Sequence, residues 1–283
     1  MIPRVGGQAV LEGVMLKSDK SMAVAVRDMA GKIVIKTKNL VPNTKKNFLF
    51  RTPFLRGFFQ LFSLLVLGIE ALKFSVNVLD GGENTKKDSL LFAFSAVIAI
   101  AFTIFFFFLL PFYVTHFSQV YLPFLNRQGW FNLYEGIIRI VFFLLYLVTI
   151  SFMKDIKRVF QYHGAEHKVI SAYESGDELV PEKVIKYSRF HPRCGTSFLI
   201  LVILMSVIFF SLFKTENIYG KIILRLVAFP IISGFIYELL KLEKVSFLKF
   251  IFVPGLWLQK LTTREPELEQ VEVAIHAFKA LEQ

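Results

Sequence analysis

A single cysteine, Cys194, leaves this chain of 283 residues no partner for an intramolecular disulfide. Nothing in it therefore asks for an oxidising compartment, and a thiol facing the cytosol stays reduced and able to bind metal. The first 53 residues lack the apolar stretch that opens a secretory signal and carry ten Lys or Arg against three acids. Acids are scarce throughout, 22 against 33 basic residues, for a net charge of +11. Such an excess can mark a nucleic-acid binder, but here the basic residues lie between long apolar runs, which argues against nucleic acid and for membrane topology. The glycines of Gly6-Gly7-Gln8-Ala9-Val10-Leu11-Glu12-Gly13 lack phosphate-loop or dinucleotide spacing, and no lysine-serine pair follows. A strand entered through a glycine turn is expected there.

Apolar residues, by contrast, are abundant: 54% of the chain, with 33 phenylalanines and a mean hydropathy of +0.55. That is not the composition of a soluble globule. Residues 90–112 carry no charge and, as a helix, would span ~34 Å, enough to cross a bilayer. Residues 133–152, 197–213 and 222–240 are three further candidate spans, giving two transmembrane hairpins at 90–152 and 197–240. Glu135, Arg139 and Arg225 fall inside these spans, where an ion pair is expected to hold them.

Residues 54–77 are apolar too, but Arg56, Gln60, Ser63, Glu70, Lys73 and Asn77 recur at helical spacing and form a polar stripe. An amphipathic or re-entrant helix at the membrane interface fits that pattern. Loop charge agrees. The basic segments are 1–53 with ten Lys or Arg, 153–196 with eight and 241–283 with six, whereas 113–132 has only Arg127 and 214–221 only two lysines. If 54–77 does not cross, all three basic segments share the cytoplasmic side.

The expected fold is thus an α-helical protein of the cell membrane, with about four transmembrane helices, an interfacial helix and both termini cytoplasmic. A small β-rich cytoplasmic module at 1–53 contains a hairpin of residues 22–27 and 32–36 around 28–31. In 241–283 an interfacial turn at Pro254-Gly255, anchored by Trp257, precedes an amphipathic helix starting near the Thr262/Glu265 capping box. Its stripe of Leu268, Val271, Ala274, Ile275, Phe278 and Leu281 needs a docking surface.

The cytoplasmic loop 153–196 carries the chemistry. Three of the five histidines and the cysteine fall in Tyr162-His163-Gly164-Ala165-Glu166-His167-Lys168 and His191-Pro192-Arg193-Cys194-Gly195-Thr196-Ser197. On a helix His163 and His167 are one turn apart on one face, and His191 with Cys194 forms a second chelating pair across a proline turn. Four such ligands can close a tetrahedral zinc site. Equally, His163-x-x-Glu166-His167 is the inverted zincin pattern, in which the glutamate acts as general base; Glu166 can instead fix a histidine tautomer. Glu238 and Tyr237, at the inner end of the last span, are candidates for an additional ligand or a supporting hydrogen bond. His116 and His276 have no partners in sequence and read as structural.

These two blocks, with Gly6–Met15, Tyr237-Glu238 and Pro254–Thr263, resemble the YqhQ-like family of bacterial membrane proteins from end to end. The resemblance implies a multispanning membrane protein, sometimes labelled a metal-dependent enzyme, without a defined reaction. Two functional classes stay open. One is a zinc-dependent hydrolase at the membrane surface; the other is a scaffold or assembly factor, stapled by a structural metal, that contacts another membrane protein through its striped helix and tail helix.

The charge asymmetry predicts the topology. In a Cys194→Ser background, single cysteines near Lys36, Lys183 and Lys279 should label from the cytoplasmic side and those near Arg127 and Thr215 from outside; opposite-side labelling at Lys36 and Lys279 rules out four spans.

Overall fold

The computed structural model describes residues 5–41, 52, 55–81, 86–213, 218–242, 245 and 249–282. The ends of the 1–53 module and part of the 214–221 loop lie outside the described residues. Among the described residues 71% are helical, and one small antiparallel sheet stands at the amino terminus.

That sheet is a meander of β1 (Gly6–Val10), β2 (Gly13–Lys17), β3 (Ser21–Arg27) and β4 (Ile33–Asn39), in spatial order β1-β2-β3-β4. The glycine-rich stretch forms a hairpin instead of one strand: Val10 pairs with Gly13 across Leu11-Glu12, and Glu12 takes the left-handed φ of 50° that such a two-residue turn demands. The second hairpin closes where expected. Asp28 Oδ1 accepts from the Ala30 and Lys32 amides at 2.9 and 2.8 Å, and Gly31 supplies φ 84°.

Because side chains alternate across a strand, each face of the sheet builds its own core. Val14, Leu16, Ala23 and Ala25 pack on α5 (Lys154–Glu174) and α10 (Leu268–Glu282). Val10, Met15, Met22, Val24 and Val26 pack on Leu67 and Ala71 of α1 (Leu55–Leu79). The tail-helix stripe finds its docking surface here, with Val271, Ala274, Ile275, Phe278 and Leu281 buried and Leu268 left exposed.

The remaining helices are α2 (Lys86–Ile104), a π-helical turn at Phe105–Leu109, α3 (Leu110–Ser118), α4 (Gln128–Ser151), the short α6 (Pro181–Val184), α7 (Gly195–Leu212), α8 (Ile218–Leu240) and α9 (Lys249–Thr262). Among the described residues, five segments are long and apolar enough to cross a membrane by length and composition: Leu55–Leu79, Leu90–Ser118, Gln128–Ser151, Gly195–Leu212 and Ile223–Leu240. The four expected spans are among them, and α1 is the fifth.

At Arg56, Gln60 and Glu70 the polar stripe of α1 turns inward, while Lys73 is exposed. Arg56 makes a two-pronged bond to Glu238 on α8, both contacts at 2.5 Å; Glu70 receives Lys36 and Lys38 of β4 at 3.1 and 2.6 Å; Gln60 is buried. Gly57 lies so near α8 that a Cβ would meet Gly234 Cα at 2.9 Å. The opposite face, Phe62, Leu65, Val66 and Ile69, is exposed.

At the end of the bundle far from the sheet, Glu135 is 2% exposed and meets two guanidiniums. Arg139, one turn along α4, pairs with it, and Arg225 of α8 donates to its two oxygens at 3.1 and 3.0 Å. Arg139 Nε also donates, at 3.0 Å, to the carbonyl of Phe107 inside the π-helical turn, where the widened ladder leaves an acceptor available.

Two expectations for the carboxy-terminal segment are corrected. Instead of an interfacial turn, α9 runs through Pro254-Gly255 with the proline inside the helix, and Gly255 lets Ser197 approach to where a Cβ would stand 2.6 Å from its Cβ. Thr262 and Thr263 do not open the tail helix. Their hydroxyls donate back to the Leu258 and Gln259 carbonyls at 3.3 and 2.7 Å and finish α9. Gln270 performs the capping, accepting from the Glu267 amide at 2.9 Å.

The buried charge cluster is testable by a double-mutant cycle on Glu135→Gln and Arg225→Met. Removing either partner should destabilise more than removing both, with a coupling of ~1–3 kcal/mol in detergent unfolding; additive effects would refute the pairing.

Candidate metal centre

Helix α5 is polar in sequence yet buried on nearly every side from Gly164 to Ile170, so each polar group on it needs a partner. The partners come from far along the chain. Segment 262–266 crosses α5 as an extended strap: the Arg264 amide donates to the Phe160 carbonyl at 2.8 Å, and a Cβ on Gly164 would collide with the Arg264 carbonyl oxygen. A helix-interior glycine sacrifices ~1 kcal/mol of propensity, and here the close crossing explains it. Lys168, 3% exposed, ties three elements together, donating to the Ile185 and Tyr187 carbonyls at 2.8 and 2.6 Å and pairing with Glu265 at 2.9 Å.

The strap and the loop between α6 and α7 also set the histidine tautomers. His163 Nδ1 lies 2.8 Å from the Thr262 carbonyl and His167 Nδ1 2.6 Å from the Arg189 carbonyl. A carbonyl only accepts, so both Nδ1 atoms carry the proton and both Nε2 atoms present lone pairs. Those lone pairs converge on Cys194, the N-cap of α7; His163 Nε2 is 3.2 Å from its Sγ, and one ligand atom from each residue lies within 4.8 Å of the others. One thiol proton cannot satisfy two imidazole acceptors. A cation satisfies all three groups, and main-chain carbonyls on the outer ring nitrogens are the usual support for metal-binding histidines. The residues present therefore fit a metal ion with two nitrogen ligands and one sulfur ligand.

Burial tunes the groups in the same direction. It lowers the pKa of His167, keeping the ring neutral as a ligand must be, and raises that of Glu166, against the partial opposition of His163 and His191. Glu166 Oε2 stands 3.9 Å from His163 Nε2 and 3.8 Å from His167 Nε2, beside a cavity of about 40 Å³ that Gly7, His191 and Arg193 also line. Such a volume accommodates an ion or a water molecule.

His191 is brought to the cavity but directed elsewhere. Its Nδ1 accepts from the Arg193 amide at 3.3 Å, and its Nε2 faces Glu174 Oε2 at 3.5 Å; Arg193 pairs with the same carboxylate. Glu238 and Tyr237 are placed away from the centre: Glu238 is held by Arg56 and Lys241, and Tyr237 packs on Gly57. Their expected nearness to the start of α5 becomes contact with α1 instead, through Arg56 and Gly57. His116, bonded to Gln119 Oε1 at 2.9 Å, and His276 are exposed and remote.

Gln259 is the residue that sequence reasoning missed. Fully buried, it accepts from the His191 amide and donates to the His191 carbonyl, each at 2.8 Å, and donates to Ser197 Oγ at 2.9 Å. A glutamine inside an otherwise apolar helix face was the available signal. Gly7 was missed as well; a Cβ there would come within 3.1 Å of Glu166 Oε1.

Residues 52–283 match a family model described as Protein of unknown function (DUF1385). The chain belongs to this family. Within it, the protein named "Uncharacterized protein YqhQ" of Bacillus subtilis (strain 168) is 35% identical over 296 residues, 99% of this chain and 92% of the relative. No solved structure matches. The DUF1385 match contains the histidines, Cys194, Glu166 and the strap but begins after the sheet, so Gly7 closes the cavity from outside the matched region.

The strap crossing yields a direct test. Gly164→Val should push the Arg264 carbonyl away and destabilise by ~1–3 kcal/mol in thermal unfolding, whereas Gly195→Ala, whose Cβ meets nothing within 4 Å, should leave the melting temperature unchanged.

Proposed function

We propose that this DUF1385 protein is a four-span membrane enzyme, a metal-dependent hydrolase whose centre faces the cytoplasm at the bilayer surface. The observation that carries the reading is the incomplete ligand set: His163, His167 and Cys194 converge while His191 turns to Glu174, leaving Glu166 and a cavity on the fourth side. Three protein ligands and an open position mark catalytic sites, whereas structural sites close with four.

Lipid contact is supported by exposure. Leu90, Phe94, Val97 and Ile100 of α2, Phe62, Leu65 and Ile69 of α1, and Phe250 and Trp257 of α9 all lie on the outside, an arrangement that water would penalise and a bilayer would not. α1 is held by the inner part of α8 at one end and by the sheet at the other, and the sheet itself packs on α5. These contacts support the reading in which α1 lies along the interface, with four spans, both termini on the cytoplasmic side and lipid as a partner.

His163 and His167, through Nε2, and Cys194, through Sγ, would hold zinc. A bound zinc ion supplies a Lewis acid that polarises a carbonyl and makes water acidic near neutral pH. Glu166 takes one proton from the water molecule whose oxygen bonds to the substrate's carbonyl carbon, and the carbon–nitrogen or carbon–oxygen ester bond breaks as Glu166 returns that proton to the leaving atom. Water is the only co-reactant.

Metal analysis of protein purified without chelators, combined with two variants, tests this assignment. His167→Ala should lose most of its metal. Glu166→Gln should keep metal and thermal stability but abolish the cellular phenotype that the gene supports; a fully functional, metal-loaded Glu166→Gln protein would overturn the enzymatic reading and leave a structural centre, and metal-free wild-type protein would overturn both.

A further inference from the structure

The two edges of the sheet are unlike. β4 carries Lys36 and Lys38 along its length, the usual protection of an exposed edge against strand addition. β1, Gly-Gly-Gln-Ala-Val, has no charge and no proline. Its register places Gly6, Gln8 and Val10 opposite Lys17, Met15 and Gly13. A two-residue turn closes on a hydrogen-bonded pair, so these three residues bond to β2, and the amides and carbonyls of Gly7 and Ala9 point away from it. Among the described residues no group bonds to those four outward atoms. Gly6 is exposed, and a Cβ on it would meet nothing within 4 Å.

This bare edge is continuous with the candidate centre. Gly6 and Gly7 line the cavity with Glu166, His163 and His167, and a Cβ on Gly7 would stand 3.1 Å from the Glu166 carboxylate. We propose that the free edge of β1 is the substrate site, and that the substrate is an extended polypeptide segment that joins the sheet as a fifth strand with one amide bond beside Glu166. The recognition chemistry is specific to polypeptide: two amides and two carbonyls repeating every second residue match the outward groups of another strand and of no lipid or sugar. Glycine at both positions nearest the centre leaves the edge unscreened by side chains, so backbone rather than sequence is read. The inference rests on the hydrolase reading and names the bond it acts on.

Binding to zinc-loaded, full-length protein in detergent tests it without requiring turnover. The probes are acetohydroxamate, an N-acetylated leucyl-alanyl hydroxamate, and the same compound methylated on its amide nitrogens, titrated by calorimetry. The peptide hydroxamate should bind roughly tenfold tighter than acetohydroxamate, the gain expected of two strand hydrogen bonds, and methylation should abolish the gain. Ala9→Pro removes an outward amide while sparing the pairing with β2; it too should erase the gain, with zinc content and acetohydroxamate affinity unchanged. Equal affinities for acetohydroxamate and the peptide compound, or a methylated compound that binds as well as its parent, overturn the edge assignment and leave the metal centre standing, as would an edge already covered by another part of the chain. Failure of the protein to retain zinc overturns the metal reading and this one with it. Should Ala9→Pro not fold, the methylated probe on wild-type protein decides alone.

Discussion

Two main-chain carbonyls, those of Thr262 and Arg189, hold the centre together. By accepting from Nδ1 of His163 and His167 they orient both rings and fix which nitrogen is left to bind. Everything else serves to keep those carbonyls in place. The Thr262 carbonyl belongs to the strap, whose course requires Gly164; two residues after Arg189 comes His191, whose backbone Gln259 grips on both sides. The ligands are close in sequence, and Arg189 lies among them, but the carbonyl that aims His163 and the side chain that holds His191 come from the last quarter of the chain. Loss of the carboxy-terminal segment would therefore misdirect the His163 ring even with all three ligands intact.

Much of the fold was legible in the sequence because apolar periodicity and length are local properties. The uncharged run at 90–112, the three other spans, the 22–27 and 32–36 hairpin and the apolar stripe of the tail helix all emerge as elements close to the expected bounds. Proline and glycine misled where tertiary contact decided the outcome: Pro254-Gly255 reads as a turn, but Ser197 packs against Gly255 and the helix continues. The polar stripe of α1 was legible as a stripe and not in its direction, since periodicity says which residues share a face and is silent on whether protein or solvent lies beyond it.

The centre divides along the same line. His163 and His167 share a helix face by spacing alone, and Cys194 follows from its proximity to His191. The orientation of His191 toward Glu174, the capture of Glu238 by Arg56 and the role of Gln259 depend on pairings across 17 to 182 positions. No local pattern encodes such pairings. His191 and Glu238 were thus recognisable as needing partners, but the partners themselves belonged to the fold.

The sheet is one strand thick between two very different neighbours. On β1, Gly7 faces α5 and approaches the Glu166 carboxylate, while the next residue, Gln8, faces α1 and fills the notch left by Gly68, with a Cβ there only 2.6 Å from its amide atoms. A single peptide unit therefore separates the helix with the outward apolar face from the buried carboxylate. Neither contact contains a long, compliant side chain on the glycine side to absorb a displacement. A tilt or lateral shift of α1 is geometrically a shift of the wall behind Glu166, so in the proposed membrane setting the physical state of the surrounding lipid would be a variable of the cavity itself.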